Sequence, residues 1–209
     1  MWHSSDKTSV RLPSSLKAEP ISYPPLDAGE MIENGMPMSF RVPRMGFPVK
    51  VMGKEGLKSN DARRAANKPH LKVSLEYVDE ILDYLHKNDV RMYRMSSDLA
   101  PYATHPDMPE FHGMVRESQS ELAALGAKAK RLDIRLSFHP SQFIVLNSPD
   151  EALVRKSVWD LESQAEMLDL MSLDASAVLV IHVGGVYGDV GLSRERWVRV
   201  WEGLPERVR

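Results

Sequence analysis

The chain contains no cysteine. It can therefore form neither a disulfide framework nor a thiolate metal site, and any bound metal must take His, Asp or Glu ligands. No stretch approaches the ~20 apolar residues of a membrane span. The first residues, Met1-Trp2-His3-Ser4-Ser5-Asp6-Lys7, lack the apolar core of a signal peptide. The expectation is a cytoplasmic protein with no membrane partner. An excess of charge is also missing: the formal net charge is −2 over 209 residues. That excludes a bulk-cationic nucleic-acid binder but leaves room for an enzyme with a local basic groove. There is no Gly-Lys-Ser/Thr, hence no P-loop, and no Gly-x-Gly-x-x-Gly follows the first strand, where a dinucleotide-binding sheet would carry it.

What is present is ordinary for a globular domain with a real core: 43% hydrophobic and 27% charged residues. Residues 1–40 stand apart. Pro13, Pro20, Pro24, Pro25 and Pro37 fall among Ser, Glu and Gly without a sustained period, which reads as a loosely attached extension or a docking peptide. Residues 41–209 alternate between strand and helix patterns. Arg41–Pro48 reads as a first strand limited by Pro43 and Pro48. Leu71, Leu75, Val78, Ile81, Leu82 and Leu85 form one stripe of a helix over 71–88. Val90–Met95 follows as a strand, then a helix over 113–131 with Val115, Leu122, Leu125 and Ala129 inward, then the strand Ile134–Phe138. Ser148 as cap and Pro149 at the first position open a long helix to about Met171. Ala177–Val183 is a continuous apolar run, the pattern of a strand buried on both faces. A last helix covers 193–202 with Ser193 as cap. Its Arg194, Arg196 and Arg199 read as a solvent face.

Four strand–helix units imply right-handed crossovers and a parallel sheet. A closed barrel of eight units needs about 250 residues, so four make half of one. An open doubly wound sheet is the competing architecture.

Three histidines fall at the ends of predicted strands, where parallel α/β folds place their chemistry. His182 ends the most apolar strand and precedes Gly184-Gly185-Val186-Tyr187-Gly188; His139 ends the strand before it; His105 lies in the loop before that. A buried imidazole is satisfied by a metal or by a backbone hydrogen bond, and two at matching positions favour metal. His105 reads as a third ligand, a supporting group or a phosphate contact. His3, His70, His86 and His112 read as solvated. Gln142-Phe143 either probes a distorted duplex, an aromatic wedge beside an amide, or packs Phe143 on the next helix. Lys50, Lys54, Lys58, Arg63, Arg64 and Lys68, with Arg91 and Arg94 flanking the second strand, are either phosphate contacts or a solvated face.

Together, Arg94-Met95-Ser96-Ser97, Ala103-Thr104-His105-Pro106-Asp107, Ser137-Phe138-His139-Pro140-Ser141-Gln142-Phe143, Ser148-Pro149 and Ile181-His182-Val183-Gly184-Gly185-Val186-Tyr187-Gly188 resemble the UV damage endonucleases. The resemblance covers roughly residues 41–209. It implies a TIM barrel of the xylose-isomerase-like kind, of which about the first four β/α units are present. It also implies a repair enzyme that nicks damaged duplex DNA immediately 5′ to UV photoproducts, using a cluster of divalent metals. Manganese is the first choice, with zinc or magnesium as alternatives. His139 and His182 match metal-ligand positions and His105 a nearby site histidine. Gln142 and Phe143 match the lesion-inserting pair, in which the family often has tyrosine where this chain has Phe143. Of the basic residues, Lys50 and Arg94 are the ones expected to contact phosphates.

Two departures accompany it. No asparagine follows Gly46-Phe47 in Gly46-Phe47-Pro48-Val49-Lys50-Val51. The family's bridging glutamate and its further Asp, His and Glu ligands would fall beyond Arg209, so the chain reads as an N-terminal half. Such a half is expected to bind metal weakly, cleave little by itself, and self-associate or pair with a complementing chain. The rivals are a metal-dependent sugar isomerase or epimerase on the same barrel and a non-catalytic damaged-DNA-binding remnant.

Overall fold

The apolar stripe from Leu71 to Leu85 folds as its spacing dictates. In the computed structural model, which describes residues 44–52 and 55–209, it forms helix α1 (Leu71–Lys87), with all six stripe residues at most 3% exposed. His70 caps it: the residue is extended, and its Nδ1 accepts the N–H of Lys72 at 3.2 Å. This corrects the reading of His70 as solvated. His86 is exposed in the last turn, where a cation is favoured. The 1–40 extension, the Arg41 start of the first strand, His3 and Lys54 lie outside the described residues.

Around α1 the remaining elements run in chain order. Strand β1 is Gly46–Pro48, β2 Met92–Met95 and β3 Arg135–Phe138. Helices α2 (Met114–Glu117) and α3 (Gln119–Arg131) precede β3, and α4 (Glu151–Leu170) and α5 (Val190–Glu202) follow it. The sheet order is β1-β2-β3, all parallel. The fold is therefore α/β with a parallel sheet, and its strand order does not reverse among the described strands.

Alternation along the strands sorts the sheet into two faces. Phe47, Tyr93 and Leu136 lie in register and belong to the core cluster with α1 and α3. The Phe47 and Tyr93 rings meet edge to face at 5.8 Å, and the Tyr93 hydroxyl donates to the Val49 carbonyl at 2.8 Å. Burial pushes the Tyr93 phenol above its ordinary pKa. Arg94 and Ser137 lie on the other face.

The helix over 113–131 is broken at Ser118, whose backbone leaves the helical region (φ −105°, ψ 18°). Its inward face is kept: Val115, Leu122, Leu125 and Ala129 are all buried. Lys128 ties α3 to α1, reaching Asp79 at 2.7 Å and Asp83 at 2.8 Å. Helices α3 and α4 approach closely at Gly126, where a β-carbon would collide with the Met171 carbonyl oxygen.

Two helix starts differ from expectation. Helix α4 begins two residues late because Asp150, not Ser148, is the cap. Its carboxylate accepts the N–H groups of Ala152 and Leu153 at 2.8 and 3.3 Å and complements the helix dipole. Ser148 instead accepts the Asp150 N–H at 3.1 Å. Helix α5 begins early, capped by Asp189 on the Leu192 N–H at 2.8 Å. Ser193 is buried in its first turn.

The largest difference is the fourth strand. Residues 177–183 form no ladder, only a single parallel bridge, Phe138↔Leu179. Leu179 and Ile181 pack on the core, but Val180 and Val183 are 47% and 59% exposed. The run is thus covered on one face only. Among the described residues no neighbour pairs with its far edge, so a second row of hydrogen bonds is lacking.

Candidate functional site

Parallel strands end on the same side of a sheet, so the loops after β2, after β3 and after the 178–182 segment gather at one edge. His139 follows β3 directly and continues the Ser137 face. His182 continues the face of Val180. The bridge at Phe138↔Leu179 sets these two faces side by side. The imidazoles of His139 and His182 meet with ring centroids 4.7 Å apart and planes at 79°. His139 is half-buried and His182 exposed.

His105 is placed elsewhere. Its Nδ1 accepts the Asp107 N–H at 3.2 Å, its ring lies 6.3 Å from that of Tyr102, and its carbonyl accepts from His112 Nε2 at 2.7 Å. His112 also meets Trp159 edge to face at 4.8 Å, so it is not a solvated residue. Among the described residues, no three His, Asp or Glu side chains stand together as a metal-holding group. The structure brings two of the three predicted histidines together and leaves the third one loop away.

Beyond His139 the loop turns at Ser141, whose carbonyl accepts the Ile144 N–H at 2.9 Å. The turn lifts Gln142 and Phe143 outward, and Ile144 to Ser148 are buried behind them. Phe143 is 74% exposed and is not packed on the following helix.

The basic candidates divide. Lys50 is exposed. Arg94 is half-buried on the sheet face away from α1, beside Pro48 and Ser137, and its guanidinium has no hydrogen-bond or ion-pair partner among the described residues. Arg91 is corrected: it lies at the opposite, N-terminal end of β2, bonded to Asp89 at 2.7 Å and the Leu132 carbonyl at 2.8 Å. Arg196 is not on a solvent face either. Its Nε donates to the Asn147 carbonyl at 2.8 Å.

A groove of about 630 Å³ runs beside the loop that carries Phe143. His105, Phe143, Arg63, Lys156 and Gln164 are among its lining residues. Its two cations are neutralised locally. Lys156 grips both Asp160 oxygens at 2.6 and 2.7 Å, with Thr104 also bonded to Asp160. Arg63 holds the buried Asp61 at 2.6 and 2.8 Å. Asp61, Thr104, Lys156, Asp160 and Asn147 do not stand out in the sequence as site-building residues: Thr104 and Asn147 meet their partners only across 56 and 38 residues, and the short-range Asp61–Arg63 pair gives no sign of its burial. The i,i+4 spacing of Lys156 and Asp160 was the one local signal.

Asp61 carries a pH dependence. The Arg63 guanidinium holds its carboxyl down at about 2 against the opposing effect of burial, and the His70 and Arg63 N–H groups add to this. A folded pKa below the unfolded one stabilises above the unfolded value and is lost as pH falls through the folded value. Between pH 5 and 2, native protein should therefore lose about 1–2 kcal/mol more stability than Asp61→Asn. Parallel denaturant titrations at the two pH values would show it; equal losses would remove Asp61 as the cause.

Residues gathered on the loops at the carboxyl edge of a parallel sheet place this chain among the α/β folds, which carry their sites there. The particular family follows from comparison. The family model described as UV-endonuclease UvdE matches residues 52–209, and the chain belongs to that family. A UV DNA damage endonuclease of Clostridium perfringens is 32% identical over 137 residues, 65% of this chain and 32% of that protein. One from Bacillus velezensis is 34% identical over 151 residues, 72% of this chain and 47% of the relative. The crystal structure of SacUVDE superposes with a TM-score of 0.70 at 27% identity, covering 79% of this chain and 57% of that one. The chain thus spans between a third and a half of the curated relatives it matches. No helix among the described residues is long and apolar enough to cross a membrane.

Proposed function

We propose that this chain supplies the first strand–helix units of a TIM-type barrel in a cytoplasmic DNA-repair endonuclease that nicks duplex DNA immediately 5′ to UV photoproducts. Family membership, the parallel sheet in chain order and the partial coverage of relatives support this reading. The observation that carries it is the His139–His182 pair, two imidazoles at the carboxyl ends of neighbouring strands with ring centroids 4.7 Å apart.

Two imidazoles suit a zinc-like divalent metal; manganese, the first choice on family grounds, or magnesium would need oxygen ligands beside them. His139 and His182 would hold it, and further ligands would have to join them. Such an ion would supply charge stabilisation at the scissile phosphate and a more acidic water. His105, held by its own loop, is a supporting group. Phe143 and Gln142 are the parts of this chain that meet the bases: the exposed ring stacks at a weakened step and the amide reads base edges. Lys50 and Arg94, whose guanidinium has no partner among the described residues, contact phosphates.

An outward Gln142–Phe143 pair disfavours the sugar-isomerase alternative, whose substrate would need a closed pocket. The exposed apolar residues Val180, Val183, Val186 and Leu192 are consistent with self-association or with a complementing chain covering that face.

The test is incubation of a duplex bearing one defined UV photoproduct with the protein and Mn²⁺, in parallel with the His139→Ala/His182→Ala double variant. For this portion by itself little cleavage is expected; any nick it makes should lie 5′ to the lesion and be absent in the double variant. Preference for the damaged duplex without cleavage would favour a binding role. Folded protein showing neither would sink the reading.

A further inference from the structure

An exposed histidine at the end of a weakly paired strand needs something else to hold it. His182 and the five residues after it are all exposed, and a single bridge joins their segment to the sheet. Yet the chain is gripped three residues beyond His182, at Gly185. Asn147 Nδ2 donates to the Gly185 carbonyl at 2.8 Å and to Ser193 Oγ at 2.7 Å. Ser193 Oγ donates in turn to the same Gly185 carbonyl at 2.7 Å. Asn147 is 1% exposed and Ser193 5%. The fit is close enough that Gly184, at φ +99°, has no room for a β-carbon, which would collide with Asn147 Oδ1. Asn147 belongs to the loop that begins at His139. Its own carbonyl is fixed by Arg196, whose guanidinium lies 5.8 Å over the Tyr187 ring.

We propose that Asn147 is a positioning residue for the histidine pair. From the loop of His139 its carboxamide holds the loop of His182, and so sets the separation of the two imidazoles. The inference rests on the reading of these histidines as metal ligands. The amide suits the task because one NH₂ group can serve two oxygens at once; a carboxylate of the same shape has no N–H to give. Among the described residues the buried Oδ1 of Asn147 has no partner. That costs stability, a penalty that a residue present only to fill space would not carry.

The test compares the full chain with Asn147→Asp, Ser193→Ala and, as a control for general destabilisation, the core variant Ile81→Val. The first readout is the nuclear Overhauser effect between the His139 and His182 rings, which needs no metal. The second is Mn²⁺ affinity, followed by paramagnetic broadening of the same ring signals. In Asn147→Asp the ring-to-ring effect should disappear and Mn²⁺ affinity should fall by at least about tenfold, the usual cost of losing a group that orients a ligand. Ser193→Ala should move both in the same direction by less, and Ile81→Val should leave the ring contact intact. A folded Asn147→Asp with an undiminished ring contact would overturn the proposal. If that variant does not fold, an unchanged ring contact in Ser193→Ala would overturn it. Native protein that keeps the ring contact but shows no Mn²⁺ broadening would refute the metal reading, and loss of that contact in Asn147→Asp would still establish the clamp.

Discussion

His139→Ala is expected to weaken Mn²⁺ binding at the strand ends by more than about 100-fold. Removing a group that merely supports a ligand already costs 10–100-fold, and His139 is proposed as a ligand itself. The variant should fold. The ring is half-buried and faces His182 rather than the core cluster, so stability should change by less than about 1 kcal/mol. His105→Ala is the internal contrast. That imidazole is engaged by the Asp107 N–H and the Tyr102 ring, and its removal should lower affinity far less. Calorimetric Mn²⁺ titration of the three proteins separates the cases. Equal affinities for native protein and His139→Ala would remove the pair from the site.

Phe143→Ala carries the second large effect, on DNA rather than metal. The ring is 74% exposed, so its loss should leave the unfolding midpoint unchanged within about 0.5 kcal/mol. Stacking of an aromatic on a base contributes about 1–3 kcal/mol, and a ring displayed to solvent has little to do except stack. Preference for a photoproduct-bearing duplex over the undamaged one should therefore fall by roughly 5- to 150-fold. Mn²⁺ affinity should be untouched. Phe143→Tyr should keep the preference, since it retains the stacking face. Competition binding with the two duplexes measures the ratio. A ratio unchanged in Phe143→Ala would assign lesion recognition to other residues.

Both effects concern residues visible before any coordinates, and for His139 the reason is local. Phe143 stands out only through the family resemblance, since its position alone leaves packing on the next helix open. His139 stands out by its position after a β-type run, just as α1 announces itself by the spacing of Leu71, Leu75, Val78, Ile81, Leu82 and Leu85. The parallel sheet was legible for the same reason. What stayed hidden depends on partners far along the chain. His70 reads as a surface histidine until its backbone turns extended and its Nδ1 meets the Lys72 N–H. His112 reads so until Trp159 arrives from α4. Asp150 and Asp189 outcompeted Ser148 and Ser193 as caps because a carboxylate both accepts N–H groups and offsets the helix dipole. Hydrophobicity alone made Ala177–Val183 look doubly buried. Burial on two faces requires neighbours on both, which composition does not encode.

The turn at Ser141 joins His139 to the outward Phe143 across four residue steps. Fully stretched, such a tether spans at most about 14 Å, while one strand of DNA advances about 3.4 Å per nucleotide. On the proposed reading the loop is a ruler graduated in nucleotides. Wherever the ring enters the helix stack, the backbone at the histidine stands no more than about four nucleotides from the backbone at Phe143, whatever the lesion's chemistry. The offset between damage and incision would then have an upper limit set by the covalent length of one loop and the reach of its two side chains, the same limit for lesions of different shape.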